Sequence, residues 1–242
     1  MIFETKKPIV IVTGASSGIG QAIANFLIKR NFNVINIDKK NKNNNIKYIS
    51  CNLSKSKDIE KRLKILKKEK NIICLINCAA VTKSEESAKY KLDNWNLTLA
   101  VNLTAPFILS QIIAKIMIKN KTQGSIINIS SISSQLAMPN NPAYNSSKAG
   151  LTQLTKSLAV DFSKYQIRVN SICPGYTVTP LNSKSWKNKK LRLQRIKRTL
   201  LGRWALPDDY NEAVLFLMDK NKSSYMTGGN ITIDGGWTAK GL

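Results

Sequence analysis

An apolar run, a glycine-rich turn and an amphipathic segment in direct succession constrain the fold of this sequence most. Residues 9–12 read Ile-Val-Ile-Val, and the turn Thr13-Gly-Ala-Ser-Ser-Gly-Ile-Gly20 follows with its glycines spaced G-x-x-x-G-x-G. Such glycines permit a tight turn, a close approach of ligand to backbone, and close packing of helix on sheet. The amides at the start of the next helix suit phosphate groups. The pattern predicts the first βα unit of a dinucleotide-binding sheet.

The rest of the chain repeats this alternation of β-rich runs and helix-length segments. Predicted strands are 9–12, 34–37, 48–51, 72–77, 125–129, 168–172 and 230–233, and predicted helices are 19–30, 56–69, 105–119, 144–163 and 208–218. Several strands lack polar alternation, which is typical of parallel strands covered on both faces. The chain is therefore predicted to be one α/β domain over 1–242, a Rossmann-type doubly wound parallel sheet of about seven strands with helices on both faces.

Asp38 ends the second predicted strand, 18 residues after Gly20. A carboxylate there can bind both ribose hydroxyls of an adenosine and repels a 2′-phosphate. The turn also has no Arg or Lys before Gly18 to pair with such a phosphate. These features favour NAD over NADP, although Lys39 or Lys40 could reach a phosphate and leaves NADP as the second choice.

Tyr144 and Lys148 stand at i and i+4, which places them on one face of a helix, one turn apart. A nearby ammonium favours the phenolate, and we therefore expect Lys148 to lower the pKa of Tyr144 from its ordinary value. Ser131 lies just beyond the apolar run 125–129, where a strand end meets a cleft. The three side chains are candidates for proton transfer at a substrate oxygen.

Composition excludes several other kinds of chemistry. The chain has no histidine, and its four cysteines form no C-x-x-C pair, so no metal site is expected. The cysteines are expected to be free in a reducing cytoplasm. Residues 1–8 show no signal-peptide core, and no uninterrupted apolar run is long enough to span a membrane. The net charge of +24 is spread along the chain, and nucleic-acid binding is not expected from it.

Further motifs stand in a fixed order around these residues. They are Asn77-Cys-Ala-Ala80, Asn102 after Val101, Asn170 through Pro174-Gly175, Thr227-Gly228 and Asp234-Gly-Gly236. With the glycine-rich turn and the Ser131, Tyr144 and Lys148 set, they resemble the short-chain dehydrogenase/reductase family over essentially the whole chain. The resemblance implies an NAD(P)-dependent oxidoreductase.

The resemblance also implies a role for each catalytic residue. Tyr144 would be the general acid/base that exchanges a proton with the substrate oxygen, and Ser131 would hydrogen-bond that oxygen. Lys148 would lower the pKa of Tyr144 and hold the nicotinamide ribose. Asn102 would hold a water that links Lys148 to solvent.

The cofactor residues follow in the same way. Those implied are Gly14, Ser16, Ser17, Gly18, Ile19, Gly20, Asp38, Asn52, Leu53, Asn77, Ala79, Tyr144, Lys148, Pro174, Gly175, Thr177 and Thr179. The backbone of Thr177 and the hydroxyl of Thr179 would bind the carboxamide. Asn52 stands where the family commonly has an aspartate near adenine, and Ala80 stands where it usually has glycine.

A substrate lid is expected over about 178–205. Residues 183–203 hold nine basic residues and no acid, which suits an anionic substrate. The alternative is an amphipathic helix with Leu191, Leu193, Ile196 and Leu200 turned inward and a solvated basic face.

The segment 202–237 resembles family members that act on sugars, sugar acids and polyols. A secondary alcohol or ketone of that class is the leading substrate expectation. A 3-oxoacyl-[acyl-carrier-protein] reductase is the first alternative, and a cyclic dihydrodiol dehydrogenase is the second, because only about ten residues separate the second and third strands. A binding protein without activity is not expected, since the catalytic set is intact.

Family members are usually tetramers that pair the helices corresponding to 100–119 and 144–163. The resemblance therefore implies a cytoplasmic homo-oligomer, most simply a homotetramer, with a small-molecule substrate and no membrane partner.

Overall fold

A seven-stranded parallel sheet forms the framework of the protein in a computed structural model that describes residues 7–41 and 46–240. The strands are β1 (Ile9–Thr13), β2 (Asn33–Asp38), β3 (Lys47–Ser50), β4 (Ile72–Asn77), β5 (Ser125–Ile129), β6 (Arg168–Pro174) and β7 (Asn230–Ile233). Their order is β3-β2-β1-β4-β5-β6-β7, and every neighbouring pair is parallel. From β1 the chain adds β2 and β3 on one side and then returns to add β4 to β7 on the other side. The strand order therefore reverses between β1 and β4, and ligands bind at this position in sheets of this kind.

Helices cover both faces of the sheet. They are α1 (Gly18–Lys29), α2 (Ser56–Arg62), α3 (Leu92–Leu99), α4 (Ala105–Lys119), α5 (Pro142–Ser163), α6 (Ser183–Lys187), α7 (Lys189–Arg198) and α8 (Asn211–Met218). Alternate residues of each strand face opposite layers. Ile9 and Ile11 pack in the cluster under α2, α4 and α5, whereas Val10 and Val12 pack in the cluster under α1 and α8. The predicted doubly wound α/β architecture is confirmed.

The predicted strands agree with the observed ones to within two residues at each end. The sequence missed α3 (Leu92–Leu99), which packs beside α5. A π-helical turn over Ala100–Thr104 joins α3 to α4. The predicted helix 56–69 is α-helical only to Arg62 and continues as a 3₁₀ helix over Leu63–Lys68.

Helix α7 follows the amphipathic alternative stated above only in part. Leu193 and Leu200 are 45% and 60% exposed, and Leu191 is also exposed. The side chains that turn toward the protein are arginines, which lie over aromatic rings. The expectation of inward side chains is therefore wrong for Leu193 and Leu200, whereas Leu191 lines the cavity and Ile196 is half-buried. Stacking of arginines on aromatic rings contributes to holding this helix in place.

The continuous helix Leu92–Lys119 is long and apolar enough, by length and composition, to cross a membrane. Half of its most apolar window is buried inside the fold. Leu109, Ile113 and Met117 of α4 belong to the core beneath the sheet. The apolar character of α4 therefore reflects its place in the core.

Candidate functional site

A cavity of about 1120 Å³ opens at the carboxyl edge of the sheet. The glycine-rich turn after β1 lines one end, and the segments after β4 and β5 line the middle. The start of α5 and the segment after β6 close the other side. The cavity therefore lies where the strand order reverses, between β1 and β4. It is large enough for a dinucleotide and a small second molecule.

The glycine-rich turn has the geometry of a phosphate cradle. Gly14 has a φ of +72°, and a Cβ on Gly20 would lie 2.6 Å from the Gly14 carbonyl oxygen. Ser17 precedes α1 and makes no side-chain hydrogen bond to the first-turn amides. Those amides are thus left for an anion, so the turn fits the pyrophosphate of NAD or NADP.

Asp38 lies at the mouth of the same cavity. Its carboxylate accepts hydrogen bonds from the backbone N–H groups of Ser16, at 3.4 Å, and Lys39, at 2.6 Å. These contacts hold it beside the turn, as a ribose-binding carboxylate requires. Lys39 also lines the cavity, whereas Lys40 offers its carbonyl to the Ser16 hydroxyl at 2.5 Å.

Three side chains implied for the cofactor point elsewhere. The Ser16 hydroxyl binds the Lys40 carbonyl and the Asn36 amide, the latter at 3.1 Å. The Asn52 amide oxygen accepts from Ser54, and the adjoining cavity wall is formed by Cys51 and Leu53 instead.

Asn77, the third of these side chains, is buried under the cavity floor. Its Nδ2 donates to Asn128 at 2.8 Å and to Ser110 at 3.3 Å. All three side chains are engaged in shaping local backbone and core, a role that the motif alone did not reveal. The other implied cofactor residues line the cavity, namely Gly14, Ser17, Gly18, Ile19, Gly20, Asp38, Leu53, Ala79, Tyr144, Lys148, Pro174, Gly175, Thr177 and Thr179.

Ser131, Tyr144 and Lys148 meet in the middle of the cavity. Ser131 lies near enough to the Tyr144 phenol to lower its pKa, and Ser131 also accepts from the Ser133 N–H at 3.0 Å. The Lys148 Nζ lies 5.7 Å from the centre of the Tyr144 ring and donates to the Ile129 carbonyl at 2.7 Å. A hydroxyl pair with an adjacent ammonium can bind an alcohol or carbonyl oxygen and exchange its proton.

Burial controls the charge state of this set. It raises the pKa of Tyr144 to about 12, an increase that the hydrogen bond from Ser131 reduces and that nearby Cys78 and Tyr176 reinforce. Burial also lowers the pKa of Lys148 to about 8. We expected Lys148 to bring the Tyr144 pKa below its ordinary value. In this structure the net change is in the opposite direction, because desolvation of the phenolate dominates.

Asn102 lies behind the catalytic set, in the π-helical turn. Its Oδ1 accepts from the Val81 N–H at 2.9 Å, and its Nδ2 donates to the Val81 carbonyl, also at 2.9 Å, and to Ser147 at 3.1 Å. The side chain therefore fixes the cavity wall at Val81. A water-holding role for Asn102 remains a prediction.

Hydrogen bonds to buried groups hold the segment after β6 in place. Thr177 shares a hydrogen bond of 2.6 Å with the buried hydroxyl of Tyr210, and Thr177 also donates to the Gly175 carbonyl. Val178 and Ala205 pair through a backbone hydrogen bond of 2.9 Å. The two ends of the predicted lid are thus held together. Tyr210 gave no signal in the sequence, since its contact partner lies 33 residues away.

Two cavity residues were also missed as individual site candidates. Tyr176 lies beside Tyr144 and Arg195 lies over the Tyr176 ring. The basic character of 183–203 was the only sequence signal for Arg195. Within 7–41 and 46–240, no three His, Cys, Asp or Glu side chains are grouped in a way that could hold a metal ion.

Comparison with known proteins identifies the family. A family model described as enoyl-(acyl carrier protein) reductase matches residues 14–238. The chain is 31% identical to the NAD-dependent glycerol dehydrogenase of Listeria innocua over 98% of the chain and 96% of that protein. It is 35% identical to a 3-oxoacyl-[acyl-carrier-protein] reductase of Rickettsia prowazekii over 93% of the chain and 95% of that protein.

A solved structure agrees with these relatives. The 4-hydroxyisoleucine dehydrogenase complexed with NADH superposes with a TM-score of 0.92 at 36% identity, over 97% of this chain and all of that one. This chain belongs to the short-chain dehydrogenase/reductase family. It is an NAD(P)-dependent oxidoreductase that acts on CH–OH groups.

Proposed function

We propose that this enzyme is an NAD-preferring dehydrogenase for a secondary alcohol of a polyol, sugar or sugar acid. One observation carries the proposal. Ser131, Tyr144 and Lys148 face the same cavity as the glycine-rich turn, so a substrate oxygen at the Tyr144 phenol shares that cavity with a nicotinamide. The glycerol dehydrogenase among the relatives supports a polyol-like substrate.

The residues divide the work as follows. A bound nicotinamide accepts or supplies the hydride. Ser131 hydrogen-bonds the substrate oxygen and the Tyr144 phenol. Because burial keeps Tyr144 protonated, the phenol is in its donor form for reduction of a ketone. Oxidation of an alcohol requires the phenolate, which the Lys148 ammonium stabilises by charge.

Substitution of Tyr144 tests the acid/base role. We expect Tyr144→Phe to lose about 10²–10⁴-fold in kcat, the usual contribution of a positioned acid/base, with NADH affinity retained. Tyr165→Phe is the control, since Tyr165 is exposed just beyond the end of α5. Turnover of Tyr144→Phe at the parent rate would contradict the proposal.

Titration with NADH and NADPH, followed by nicotinamide fluorescence, tests the cofactor preference. We expect tighter binding of NADH, because the Asp38 carboxylate repels a 2′-phosphate. Asp38→Asn should narrow the difference between the affinities for NADH and NADPH. Tighter binding of NADPH to the parent would show that Lys39 outweighs Asp38.

The same NADPH result would favour the second candidate, a 3-oxoacyl-[acyl-carrier-protein] reductase. The reductase among the relatives and the basic helices α6 and α7 favour that candidate. Turnover of acetoacetyl-carrier protein with NADPH would establish it.

We further propose a homotetramer in the cytoplasm. Phe107 on α4 and Val160 on α5 are 43% and 75% exposed, and both helices belong to the expected interface. The four cysteines are free, which suits a reducing compartment. Sedimentation velocity should give four times the chain mass. A monomer at micromolar concentration would refute this assembly.

A further inference from the structure

Helix α7 presents three arginines to the protein at a spacing of three residues. The Arg192 guanidinium carbon lies 5.1 Å from the Trp186 ring centre, and that of Arg198 lies 4.8 Å from Trp237. Arg195, between them, lies 4.4 Å from the Tyr176 ring and 5.9 Å from Trp204. Stacking uses the flat face of a guanidinium and leaves its in-plane N–H groups to find partners of their own.

Arg195 differs from its two neighbours in that it lines the catalytic cavity and in the burial of its guanidinium nitrogens. It lines the catalytic cavity together with Ser131 and Tyr144, and neither Arg192 nor Arg198 is among the lining residues. Its Nε and Nη1 atoms are buried, and no atom of the described chain accepts a hydrogen bond from either of them. A buried charge without an acceptor is costly, and an anion in the adjoining cavity would offset that cost through its own charge.

Other arginines in the protein do have acceptors. Exposed Arg203 binds both carboxylate oxygens of Asp209, at 2.7 and 3.0 Å, and buried Arg168 donates to the Ser223 hydroxyl at 2.9 Å. Residues 183–203 contain no acid, so α7 itself cannot supply an acceptor carboxylate to Arg195. An anion close to the Arg195 guanidinium is therefore best supplied by a molecule in the cavity.

Tyr176 connects this guanidinium to the site of chemistry. Arg195 stacks on the Tyr176 ring, and Tyr176 is close enough to Tyr144 to interact with it electrostatically. A molecule whose hydroxyl lies at Tyr144 and whose other end is anionic could reach Arg195 without leaving the cavity.

We infer that Arg195 binds the carboxylate of the substrate, which makes the substrate a hydroxy acid or the corresponding keto acid. This inference rests on the proposed function and narrows its substrate class. A guanidinium binds a carboxylate through charge-assisted hydrogen bonds, which are stronger than neutral ones. Neutral polyols of the same chain length lack that interaction.

Paired probes test the inference on the enzyme–NADH complex. The acids are D-glycerate, 3-hydroxybutyrate and D-gluconate, and the neutral counterparts are glycerol, 2-butanol and D-sorbitol. Binding is measured as a shift of the thermal midpoint at saturating NADH, and turnover is measured with NAD+. We expect at least one acid to bind roughly 10-fold or more tightly than its neutral counterpart, as a charge-assisted hydrogen bond predicts.

Variants assign that preference to Arg195. Arg195→Met keeps most of the side-chain length and removes the donors, and we expect the Kd of the preferred acid to rise roughly 10- to 100-fold. Arg195→Lys, which keeps the charge, should recover part of the loss. Arg198→Met is the control, because Arg198 makes the same kind of ring contact outside the cavity. The Arg198→Met variant should prefer the acid over its neutral counterpart as strongly as the parent does.

Other results would overturn the inference about Arg195. If no acid binds the NADH complex more tightly than its counterpart, or if Arg195→Met and Arg198→Met weaken acid binding equally, the inference is overturned. Tyr144-dependent turnover of neutral alcohols would then leave the proposed function standing. Failure to bind either NADH or NADPH would instead refute the proposed function. Unchanged NADH affinity in Arg195→Met verifies that the variant is folded.

Discussion

At the scale of single residues, burial shifts the pKa values of Tyr144 and Lys148 in opposite directions, toward the neutral form of each. The pKa of Tyr144 is raised to about 12 and that of Lys148 is lowered to about 8. The site therefore holds two groups whose charged forms are disfavoured until a partner stabilises them. A bound ligand that hydrogen-bonds either group thus has a direct influence on proton transfer.

The depressed pKa of Lys148 predicts how stability depends on pH. An unfolded chain keeps this lysine protonated up to about pH 10.4, whereas the folded protein releases the proton near pH 8. Between those values the unfolded state binds more protons, so the folded state gains stability as the pH rises. Relative to Lys148→Met, the parent should gain up to about 1.4 kcal/mol per pH unit there.

Urea unfolding of both proteins at pH 7, 8, 9 and 10 measures this difference. Below about pH 8 the difference between parent and variant should be constant. If the parent instead loses stability relative to Lys148→Met as the pH rises, the folded protein favours the ammonium, contrary to the burial argument.

Side-chain direction decided which of the predicted site residues line the cavity. The motifs located Ser131, Tyr144, Lys148 and Asp38 at the cavity, because a strand end or a helix face fixes where such residues point. Ser16, Asn52 and Asn77 carry groups that hydrogen-bond equally well to backbone, to ligand or to each other. The competition among these partners is settled by neighbours distant in the chain, which no local pattern contains.

At the scale of elements, the contact between α1 and the glycine-rich turn has almost no spare room. A Cβ on Gly20 would lie 2.6 Å from the carbonyl oxygen of Gly14, and backbone atoms there cannot move without shifting the helix. The position of the α1 amides, and with it the phosphate cradle, thus depends on the absence of a Cβ at Gly20.

Gly20→Ala tests this contact. We expect a loss of about 1–3 kcal/mol in the free energy of unfolding, as for other overpacked sites, and weaker binding of NADH. Gly124→Ala is the matched control. Its new Cβ would chiefly meet the flexible tip of Met117, at 2.5 Å, so NADH affinity should be retained. Equal loss of NADH affinity in both variants would contradict a specific role for the α1 contact.

Helix α7 shows why an element can be predicted and its orientation missed. Hydrophobic spacing favours burial of leucines, and aliphatic packing is the usual outcome. Here Tyr176, Trp186, Trp204 and Trp237 gather from separate parts of the chain, with neighbouring ring centres 4.8 to 5.3 Å apart. Guanidinium groups of α7 stack on that aromatic surface, and Leu193 and Leu200 are left exposed.

At the scale of the whole molecule, the charge of +24 is the dominant electrostatic feature. The described residues form ion pairs such as Arg30–Glu212 and Lys47–Glu69, but every such pair is at least partly exposed. Exposed pairs contribute little, whereas like charges repel over the whole surface.

We therefore expect added salt to stabilise the protein. The thermal midpoint should rise between about 20 and 200 mM NaCl, because screening relieves the repulsion among lysines and arginines. The double variant Lys64→Glu and Lys67→Glu, at two exposed lysines, should show a smaller rise. A midpoint that falls with salt would show that attractive ion pairs outweigh the repulsion.

The sequence by itself determined the parallel sheet, the glycine-rich turn and the Ser131, Tyr144 and Lys148 set. These depend on periodicity and on backbone conformation, which neighbouring residues control. The tertiary structure alone decided that burial raises the pKa of Tyr144, that Asn52 and Asn77 do not line the cavity, and that Arg195 does. Desolvation and hydrogen-bond competition depend on atoms brought together from distant segments, so those outcomes become visible only in the folded chain.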